Sequence, residues 1–553
     1  MLSVRRVANL AGVALGTATW GVYTGRLLLR SLHMLQLEGY QTARFLAWSI
    51  ARRERWASSS QLVAAFGMAA LAGASLHGSV RPLVTGTPAL VAWAALGGWL
   101  LRRATPQEAK KPLALTARAK RLVAGQAFVA GVVAVGPAAM LALRGGHARA
   151  QALPALLAGG AVGSLLAPLT TSAANVLLWP VEERIRRYYL DDARRILREQ
   201  DPVVVAVAGS YGKTSTKEFI AAILGAKFTT LKPPGSHNTP MGLSRVIREH
   251  LLPTHDVFVA ELGDYVPGDI RFLCNLVGPR IGVLTTIGPE HLERFKTMEN
   301  VARAKEELIE ALPASGVAVI NQDDEVVRAI GDRAEARGLR VVRYGLSAPG
   351  AAVRAENVRT ARDGLQFDVS ADGHDSAPFR IGVLGRHNVA NVLASVAVAL
   401  ELGMSLPEIA RAASKIRPVE HRLQPIQGAG GVLVIDDAFN SNPRGAAAAL
   451  DVLGEIEGGK KVLVTPGMIE LAYREEDEHR AFGRHAAAVC DDVILVGPER
   501  TRPIAAGLRE RGFSAERIHV VGSLAEATAR LQGLIGPGDV VLFENDLPDQ
   551  YDR

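Results

Sequence analysis

Seven residues near the middle of the chain have the types and spacing of a phosphate-binding loop. They are Gly209, Ser210, Tyr211, Gly212, Lys213, Thr214 and Ser215. An apolar, β-branched run at 203–207 is typical of a buried parallel strand, and a helix-compatible segment begins after Lys213. Such a loop aims backbone N–H groups, a helix N-terminus, a lysine and a hydroxyl, here that of Thr214, at phosphates and Mg²⁺. The motif is the shortened form G-x-x-G-K-T-S, and a tight strand–helix turn with an incidental lysine is the alternative.

Two further polar side chains follow the next strands of the pattern. Glu261 ends the apolar run 257–261, and His291 follows the run 281–286. The carboxyl ends of parallel strands meet at one edge of a sheet, so these side chains are expected to lie near the phosphate loop. A carboxylate and an imidazole there could hold the Mg²⁺ of a bound ATP. Taken singly, a strand-end cap and a loop histidine are the alternatives.

The elements that must position these residues alternate between helices and apolar strands. After another strand at 317–321, an excursion of two hairpins is expected at 353–385, and four strands follow at 461–465, 492–496, 518–521 and 540–543. This alternation predicts an α/β fold with two doubly wound, mostly parallel sheets. The second sheet is expected to form a dinucleotide-fold-like domain.

The motifs resemble those of the Mur ligase family, ATP-dependent enzymes that build the stem peptide of peptidoglycan. The resemblance rests on the phosphate loop, ELG, IGPEHLE, GRHN and DDAFNSN, and covers residues 203–543. It implies a central P-loop ATPase domain and a C-terminal Rossmann-like domain. It also implies that Glu261 and His291 are metal ligands, and that Lys305 is carbamylated so that its anionic oxygen holds a second Mg²⁺. A solvated, unmodified lysine is the alternative for Lys305.

Three further residues are assigned through the same resemblance. Asn388 matches a family position near the adenine, although an N-cap of the following helix is the alternative. Arg422 resembles an arginine that reaches the ATP phosphates from the hinge between domains. Asp437 lies in the DDAFNSN segment, on the nucleotide side of the last domain.

The resemblance implies an ATP-dependent amide ligase working through an acyl-phosphate, with ATP and Mg²⁺ as cofactors. It is closest to the type that adds D-alanyl-D-alanine to a muramoyl-peptide. The chain departs from that type at 465–471 and at 543–547, where Glu544 and Asn545 replace a basic, glycine- and serine-containing run. A membrane ligase for another polymer, such as poly-γ-glutamate, is a second interpretation. An ATP-switched transporter or sensor is a third, disfavoured because we see no charged residue in mid-span.

The N-terminal third differs sharply from the rest in charge and hydropathy. Residues 1–200 hold 24 Lys and Arg against 8 Asp and Glu, whereas residues 201–553 hold 39 against 47. Four to five membrane spans are expected there, at 7–25, 62–77, 83–101, 122–143 and 152–180. Basic residues concentrate in the loops 26–60 and 102–121, which predicts that these loops and the ligase module face the cytoplasm. The basic pI is therefore poor evidence for nucleic-acid binding.

These observations predict three domains: a membrane region at 1–200, a central ATP-binding domain at 201–420 and a C-terminal domain at 421–553. The location expected is the cytoplasmic membrane, with several passes. A segment at 32–56, rich in aromatics, leucines and arginines, reads as an interfacial helix or as a plain connector. The expected partners are a muramoyl-peptide-like acceptor, an amino acid or dipeptide, and the membrane, with no nucleic acid. Two distant cysteines exclude a disulfide framework and a four-cysteine zinc site.

Overall fold

The structure is a computed structural model that describes most of the chain. The described residues are 4–51, 56–59, 61–63, 65–66, 87–103, 112–144, 151–235, 237–289, 292–361, 364–438, 441–469 and 471–546. They divide into two compact units, Met1–Ile185 and Arg186–Leu547.

The first unit is helical. Its helices are α1 (Val4–Leu37), α2 (Thr42–Ala51), α3 (Thr87–Arg103), α4 (Ala117–Arg144), α5 (Ala152–Leu165) and α6 (Ala167–Gln200), of which α6 continues into the second unit. Indole stacking joins α1 to α3, because Trp20 lies 6.4 Å from the Trp93 ring and donates to the Trp93 carbonyl. The buried Gln126 amide of α4 donates to the Leu28 carbonyl and to the Thr171 hydroxyl. Apolar packing with a few satisfied polar bonds therefore holds the helices together.

The expected spans map unevenly onto these helices. Among the described residues, α4 is long and apolar enough to cross a membrane. Residues 158–165 and α6 meet at a 73° bend, and this bent pair of helices is a second candidate if it is counted as one span. The expected span at 152–180 is thus broken at Leu166. Of the expected span 83–101, residues 87–101 lie in α3, and residues 83–86 lie outside the described residues. Most of the expected span 62–77 lies outside the described residues, and membrane placement stays a prediction.

The second unit begins with a nine-stranded sheet. Its strands are β1 (Val203–Ala208), β2 (Thr230–Leu231), β3 (Val257–Glu261), β4 (Ile281–Leu284), β5 (Val317–Asn321), β6 (Arg340–Gly345), β7 (Val353–Ala361), β8 (Gly364–Ala371) and β9 (His374–Ile381). Their order is β2-β3-β1-β4-β5-β6-β7-β8-β9. The pairs from β2 to β7 are parallel, whereas β7, β8 and β9 are antiparallel. The predicted hairpin excursion therefore extends the same sheet.

Helices cover both faces of this sheet. They are α7 (Lys213–Leu224), α8 (Pro240–His250), α9 (Asp269–Val277), α10 (Leu292–Phe295), α11 (Met298–Glu310), α12 (Glu325–Ala336), α13 (His387–Glu401) and α14 (Leu406–Ala413). Several begin at predictable caps, such as Thr239 before Pro240, and Asp324, whose carboxylate accepts from two backbone N–H groups of α12. Strand β4 is two residues shorter than predicted, because Thr285 and Thr286 bond to the phosphate loop instead.

A six-stranded sheet forms the C-terminal part of the second unit. Its strands are β10 (Gln424–Gln427), β11 (Leu433–Asp437), β12 (Lys461–Thr465), β13 (Asp492–Val496), β14 (Ile518–Val521) and β15 (Val540–Glu544), in the order β10-β11-β15-β12-β13-β14. All pairs but the β10–β11 pair are parallel. Its helices are α15 (Pro443–Glu455), α16 (Glu475–Val489), α17 (Arg502–Glu510) and α18 (Leu524–Gln532). The two predicted α/β sheets are confirmed.

Candidate active site

The phosphate loop connects the buried strand β1 to α7, and two of its positions require glycine. Gly209 has φ 144° and Gly212 has φ 79°, conformations that L side chains rarely adopt. A Cβ at Gly212 would also lie 2.5 Å from the Asn391 Oδ1 atom. The loop is therefore shaped by backbone conformation and by close neighbours, as the motif predicts.

The side chains of Ser210 and Tyr211 hold the loop onto the segment that follows β4. The Ser210 hydroxyl donates to the Gly288 carbonyl over 3.0 Å, and the Gly288 N–H lies 3.1 Å from the same hydroxyl. The Tyr211 hydroxyl donates to the Pro289 carbonyl over 2.9 Å. These two side chains therefore brace the loop, and the Ser210 backbone N–H adds a hydrogen bond to the Thr286 carbonyl over 2.6 Å.

Lys213 opens α7 and bends back over the loop. Its ammonium donates to the Gly209 and Ser210 carbonyls over 2.7 and 2.9 Å. The side chain is half-buried, as is Ser215 on the same first turn. Lys213 is thus a partly exposed cation held at the mouth of the loop.

Glu261, at the carboxyl end of β3, is the centre of a buried polar cluster. Its Oε1 accepts from the Thr214 hydroxyl over 3.2 Å and from the Asn238 amide over 3.1 Å. Its Oε2 has no hydrogen-bond donor among the described residues and lies 3.8 Å from the Lys217 ammonium. Glu261 is only 2 % exposed. A carboxylate oxygen that accepts no hydrogen bond, beside a threonine hydroxyl, is a set of oxygen ligands that suits Mg²⁺, so the predicted metal role fits these residues.

Lys305, on α11, is fully buried and forms an ion pair with the buried Asp264 carboxylate. Asp264 follows β3, and its Oδ2 has no hydrogen-bond partner among the described residues. A solvated lysine on a helix face, the alternative weighed from sequence, is therefore wrong. The predicted carbamylation stays a prediction. It would place a second anion beside Asp264, an arrangement that needs a cation to balance it.

His291, the remaining predicted ligand, lies outside the described residues. Within the described part of the chain, no group of three or more His, Cys, Asp or Glu side chains is arranged to hold a metal ion. Besides Glu261, the predicted metal ligands are the Thr214 hydroxyl, a carbamylated Lys305 and His291, so the predicted set does not consist of three such side chains within the described residues. The segment that leads to His291 ends at Pro289, whose carbonyl accepts from Tyr211 of the phosphate loop.

Asn388 and Asn391, on α13, connect that helix to the phosphate loop. Asn388 lies inside the helix, whose N-cap is Arg386, so the N-cap alternative for Asn388 is wrong. Its amide donates to the Leu384 carbonyl over 2.7 Å, and its Oδ1 accepts from Asn391 over 2.9 Å. Asn391 in turn accepts from the Thr216 hydroxyl over 3.1 Å. This chain of amides lies against Gly212 and supports the loop.

Arg422 and Asp437 come together at the junction between the two sheets. The Leu423 N–H donates to the Asp437 carboxylate over 3.1 Å. Burial raises the pKa of Asp437 to about 6, and the nearby Arg422 guanidinium partly opposes that rise. Burial, reinforced by Arg422, lowers the pKa of His387 to about 4, so this histidine is neutral at pH 7. The structure thus groups Arg422 with Asp437, two residues that the sequence assigned to the nucleotide.

Several residues of these clusters were missed from sequence, among them Lys217, Asn238 and Glu544. Glu544 ends β15 directly beside Asp437 and is 1 % exposed. It bonds to the Ser441 hydroxyl and, over 3.1 Å, to that of Thr465. Burial raises its pKa to about 8, with a further contribution from Asp437. The only sequence signal was the departure noted at 543–547, which gave no partner for the carboxyl.

Comparison with known families gives two adjoining matches. A family model described as the Mur ligase middle domain matches residues 207–399. A second, described as the Mur ligase, glutamate ligase domain, matches residues 421–544. Both matches lie in the second unit and cover the two sheets with the clusters described above.

Curated relatives and solved structures are similar over the same region. The chain is 33% identical to a UDP-N-acetylmuramoyl-tripeptide--D-alanyl-D-alanine ligase of Mycobacterium leprae over 62% of this chain and 70% of that protein. It is 34% identical to the Escherichia coli enzyme of the same name over 55% and 66%. The structure of MurF from Acinetobacter baumannii superposes with a TM-score of 0.60 at 28% identity, covering 66% of this chain and 78% of that one. MurF ligase from Thermotoga maritima in complex with ADP gives 0.58 at 26%, covering 65% and 80%.

Proposed function

This chain belongs to the Mur ligase family, and we propose that it extends a muramoyl-peptide precursor of peptidoglycan with D-alanyl-D-alanine or a closely related amine. The enzyme class is that of an ATP-dependent amide ligase using Mg²⁺. The observation that carries the proposal is the cluster at the edge of the nine-stranded sheet. There the phosphate loop meets, through Thr214, the buried Glu261, one of whose oxygens accepts no hydrogen bond from the described residues.

The chemistry proceeds in two steps. A carboxylate oxygen of the acceptor attacks the γ-phosphorus of ATP, so that an acyl-phosphate forms and ADP leaves. The amine then attacks the acyl carbon, the amide bond forms, inorganic phosphate leaves and the amine loses a proton. No covalent protein nucleophile takes part, so the protein contributes positioning and compensation of charge.

Different residues of the chain bind the phosphates, hold the metal ion and support the loop. The loop N–H groups and Lys213 bind the phosphates, and Thr214, Glu261, His291 and a carbamylated Lys305 would hold Mg²⁺, which neutralises charge that develops on the transferred phosphoryl group. Asn388 lies within the chain of amides that supports the loop. Arg422 and Asp437 approach the nucleotide from the junction with the C-terminal sheet.

The identity of the amine is the finer part of the proposal. It is supported by relatives whose names specify D-alanyl-D-alanine. The direct test is mass spectrometry of products when the full chain receives ATP, UDP-muramoyl-tripeptide and D-alanyl-D-alanine. A mass increase equal to D-alanyl-D-alanine minus water supports the proposal. If instead glutamate is the amine incorporated, in repeated additions, the chain is a ligase of another polymer. ATP hydrolysis without any amide product would favour an ATP-switched device.

We also propose that the first unit places the ligase at the cytoplasmic membrane. The support is its excess of basic residues over residues 1–200, the apolar helix α4 and the exposed apolar side chains on that helix. Phe128, Val132 and Met140 are among those exposed side chains, at 56–65 %. Lipid tails would cover such a surface favourably.

Two measurements test the role of this unit. Full-length protein should remain in the membrane fraction after carbonate extraction, and recovery in the soluble fraction would contradict the placement. A truncated chain that begins at Arg186, the start of the second unit, is then compared with the full chain in bilayers. Equal ligation of a UDP-linked acceptor would make the first unit an anchor only. Loss of ligation with retained ATP binding would assign the unit to acceptor binding, which favours a lipid-linked acceptor.

A further inference from the structure

Lys217 is an ammonium group enclosed in the predicted active site. It lies one turn after Lys213 on α7 and is 0 % exposed. Its Nζ donates to the Pro233 carbonyl over 3.0 Å and to the Gly235 carbonyl, and it lies 3.2 Å from a carboxylate oxygen of Glu218. Burying an ammonium is unfavourable unless partners compensate its charge, so these contacts are the reason that the charge is tolerated.

Lys217 also lies beside the carboxylate predicted to bind metal. Its Nζ is 3.8 Å from the Glu261 Oε2, the oxygen that accepts no hydrogen bond. Full burial keeps Lys217 away from any substrate, in contrast to the half-buried Lys213. Its influence on the reaction must therefore pass through the groups that it touches.

One of those groups is the backbone at 233–235. Three residues later, Asn238 donates its side-chain amide to Glu261 Oε1 over 3.1 Å, and its carbonyl accepts from the Gly263 N–H over 3.0 Å. With Asn238 and Thr214 both on Oε1, only Oε2 of Glu261 is left without a donor. Lys217 thus holds the backbone just before Asn238. The Asn238 amide bonds to Oε1 of Glu261, so Oε2 is the oxygen left without a donor.

We infer that Lys217 is a positioning residue of the metal–nucleotide site: it holds the Pro233 and Gly235 carbonyls ahead of Asn238, so that Asn238 occupies one oxygen of Glu261 and the other stays available to the Mg²⁺ of a bound nucleotide. The inference rests on the proposed function of the site as an ATP–Mg²⁺ site. Groups that orient a metal ligand commonly change metal affinity by about 10- to 100-fold when they are replaced. A similar change is expected here.

The test measures nucleotide binding rather than ligation. Full-length Lys217→Met, which keeps the length of the side chain and loses its charge and donors, is titrated with Mg²⁺ in the presence of a fluorescent, non-hydrolysable ATP analogue. The expected result is a rise of about 10-fold or more in the half-saturating Mg²⁺ concentration. The matched control is Lys227→Met, because Lys227 is exposed and also donates to a backbone carbonyl, that of Gly403 over 2.7 Å. The control is expected to bind like the wild type.

Asn238→Ala separates positioning from a general loss of stability. It should raise the half-saturating Mg²⁺ concentration by itself, and the double variant should show less than the product of the two single effects, since both act through one oxygen. A folded Lys217→Met with wild-type Mg²⁺ dependence would overturn the inference, as would independent effects in the double variant. If Lys217→Met does not fold, Asn238→Ala decides: unchanged Mg²⁺ dependence refutes the route through this segment. If no variant or wild type binds the analogue at all, it is the proposed function that fails.

Discussion

Both sheets of the second unit carry buried carboxyl groups at the carboxyl ends of their strands, but the neighbours of those carboxyl groups differ between the two sheets. At the nine-stranded sheet, Glu261 lies 3.8 Å from the buried Lys217 ammonium, and Asp264 forms an ion pair with the buried Lys305. At the six-stranded sheet, Glu544 has hydroxyl partners and lies beside another carboxyl. Burial there raises the pKa of Glu544 to about 8.

The difference shows that position in the fold does not decide the role of a strand-end carboxyl. At the first edge each carboxyl group has a lysine beside it, and carboxylate oxygens are ligands that suit Mg²⁺. Burial and the neighbouring Asp437 favour the neutral acid of Glu544, which can donate a hydrogen bond, and the donating hydroxyls of Ser441 and Thr465 oppose this only in part. The first edge is therefore equipped for phosphates and Mg²⁺, and the second joins the ends of β11, β12 and β15 through a protonated side chain. Variants at both edges test this contrast.

The largest effect is expected at the first edge for Lys213→Ala. Removing the cation held over the loop should lower ATP turnover by at least about 100-fold, because charge compensation at the phosphates is lost. ADP release measures the effect, and thermal unfolding verifies that the protein is folded. Lys227→Ala, at an exposed site, is the control. Near-normal turnover of a folded Lys213→Ala variant would refute the site assignment.

Lys305→Ala tests whether the first edge works with an ammonium or with a carbamate. If carbamylation occurs, activity should fall by roughly 100-fold, as for loss of one electrostatic group at a reacting centre. Acetate or formate should then restore part of it by supplying the missing oxygen ligand, whereas chloride at equal ionic strength should not. Full activity of Lys305→Ala would exclude the carbamate, and so would a loss that no carboxylate rescues in a folded variant.

Glu544→Gln tests the neutral acid at the second edge through the pH dependence of stability. The pKa of this carboxyl rises from 4.5 unfolded to about 8 folded, so its protonated form stabilises the fold fully below pH 4.5. That contribution is lost as pH rises towards 8, by on the order of 4 kcal/mol between pH 5 and 8. The amide cannot ionise, so the variant should lose less stability over this range in urea unfolding. Glu476→Gln, at an exposed glutamate, should behave like the wild type. Parallel pH profiles of Glu544→Gln and wild type would show that Glu544 is ionised in the folded state.

The smallest effect is expected where the two sheets are bridged. Arg444, at the start of α15, lies 3.5 Å from Asp324 at the N-cap of α12, and its side chain is 60% exposed. Arg444→Ala should therefore cost less than about 1 kcal/mol in unfolding free energy. Asp324→Ala should cost more, about 1–2 kcal/mol, because it removes the cap of α12. An equal or larger cost for Arg444→Ala would make this exposed ion pair a principal link between the sheets.

Much of the fold could be predicted from local patterns. The strands at 257–261, 317–321, 461–465, 492–496 and 518–521 were predicted with the bounds observed. Short apolar runs between turn residues have few other stable arrangements than a buried parallel strand. The phosphate loop was equally readable, because its glycines, lysine and threonine are consecutive and the backbone conformation of Gly212 demands that residue type.

The helices and spans of the N-terminal region were harder to predict from the sequence. Apolar composition located the helical segments, yet the bend at Leu166 was not evident from hydropathy. Hydropathy averages over a window, whereas a helix ends where its hydrogen bonds and packing change. The number of spans therefore stays a prediction.

The partners of the site residues were decided by tertiary structure alone. Thr214 and Glu261 are 47 positions apart, and Thr216 and Asn391 are 175 apart, yet each pair forms a hydrogen bond. Which carboxyl meets a lysine and which meets hydroxyls depends on strand order and register, since these bring distant segments to one edge of a sheet. The sequence by itself therefore determined the types of the chemical groups and the strands that carry them. Only the packed sheets decided that Lys217 and Asn238 flank Glu261 and that Glu544 lies buried beside Asp437, because burial and neighbouring charge arise when distant segments pack together.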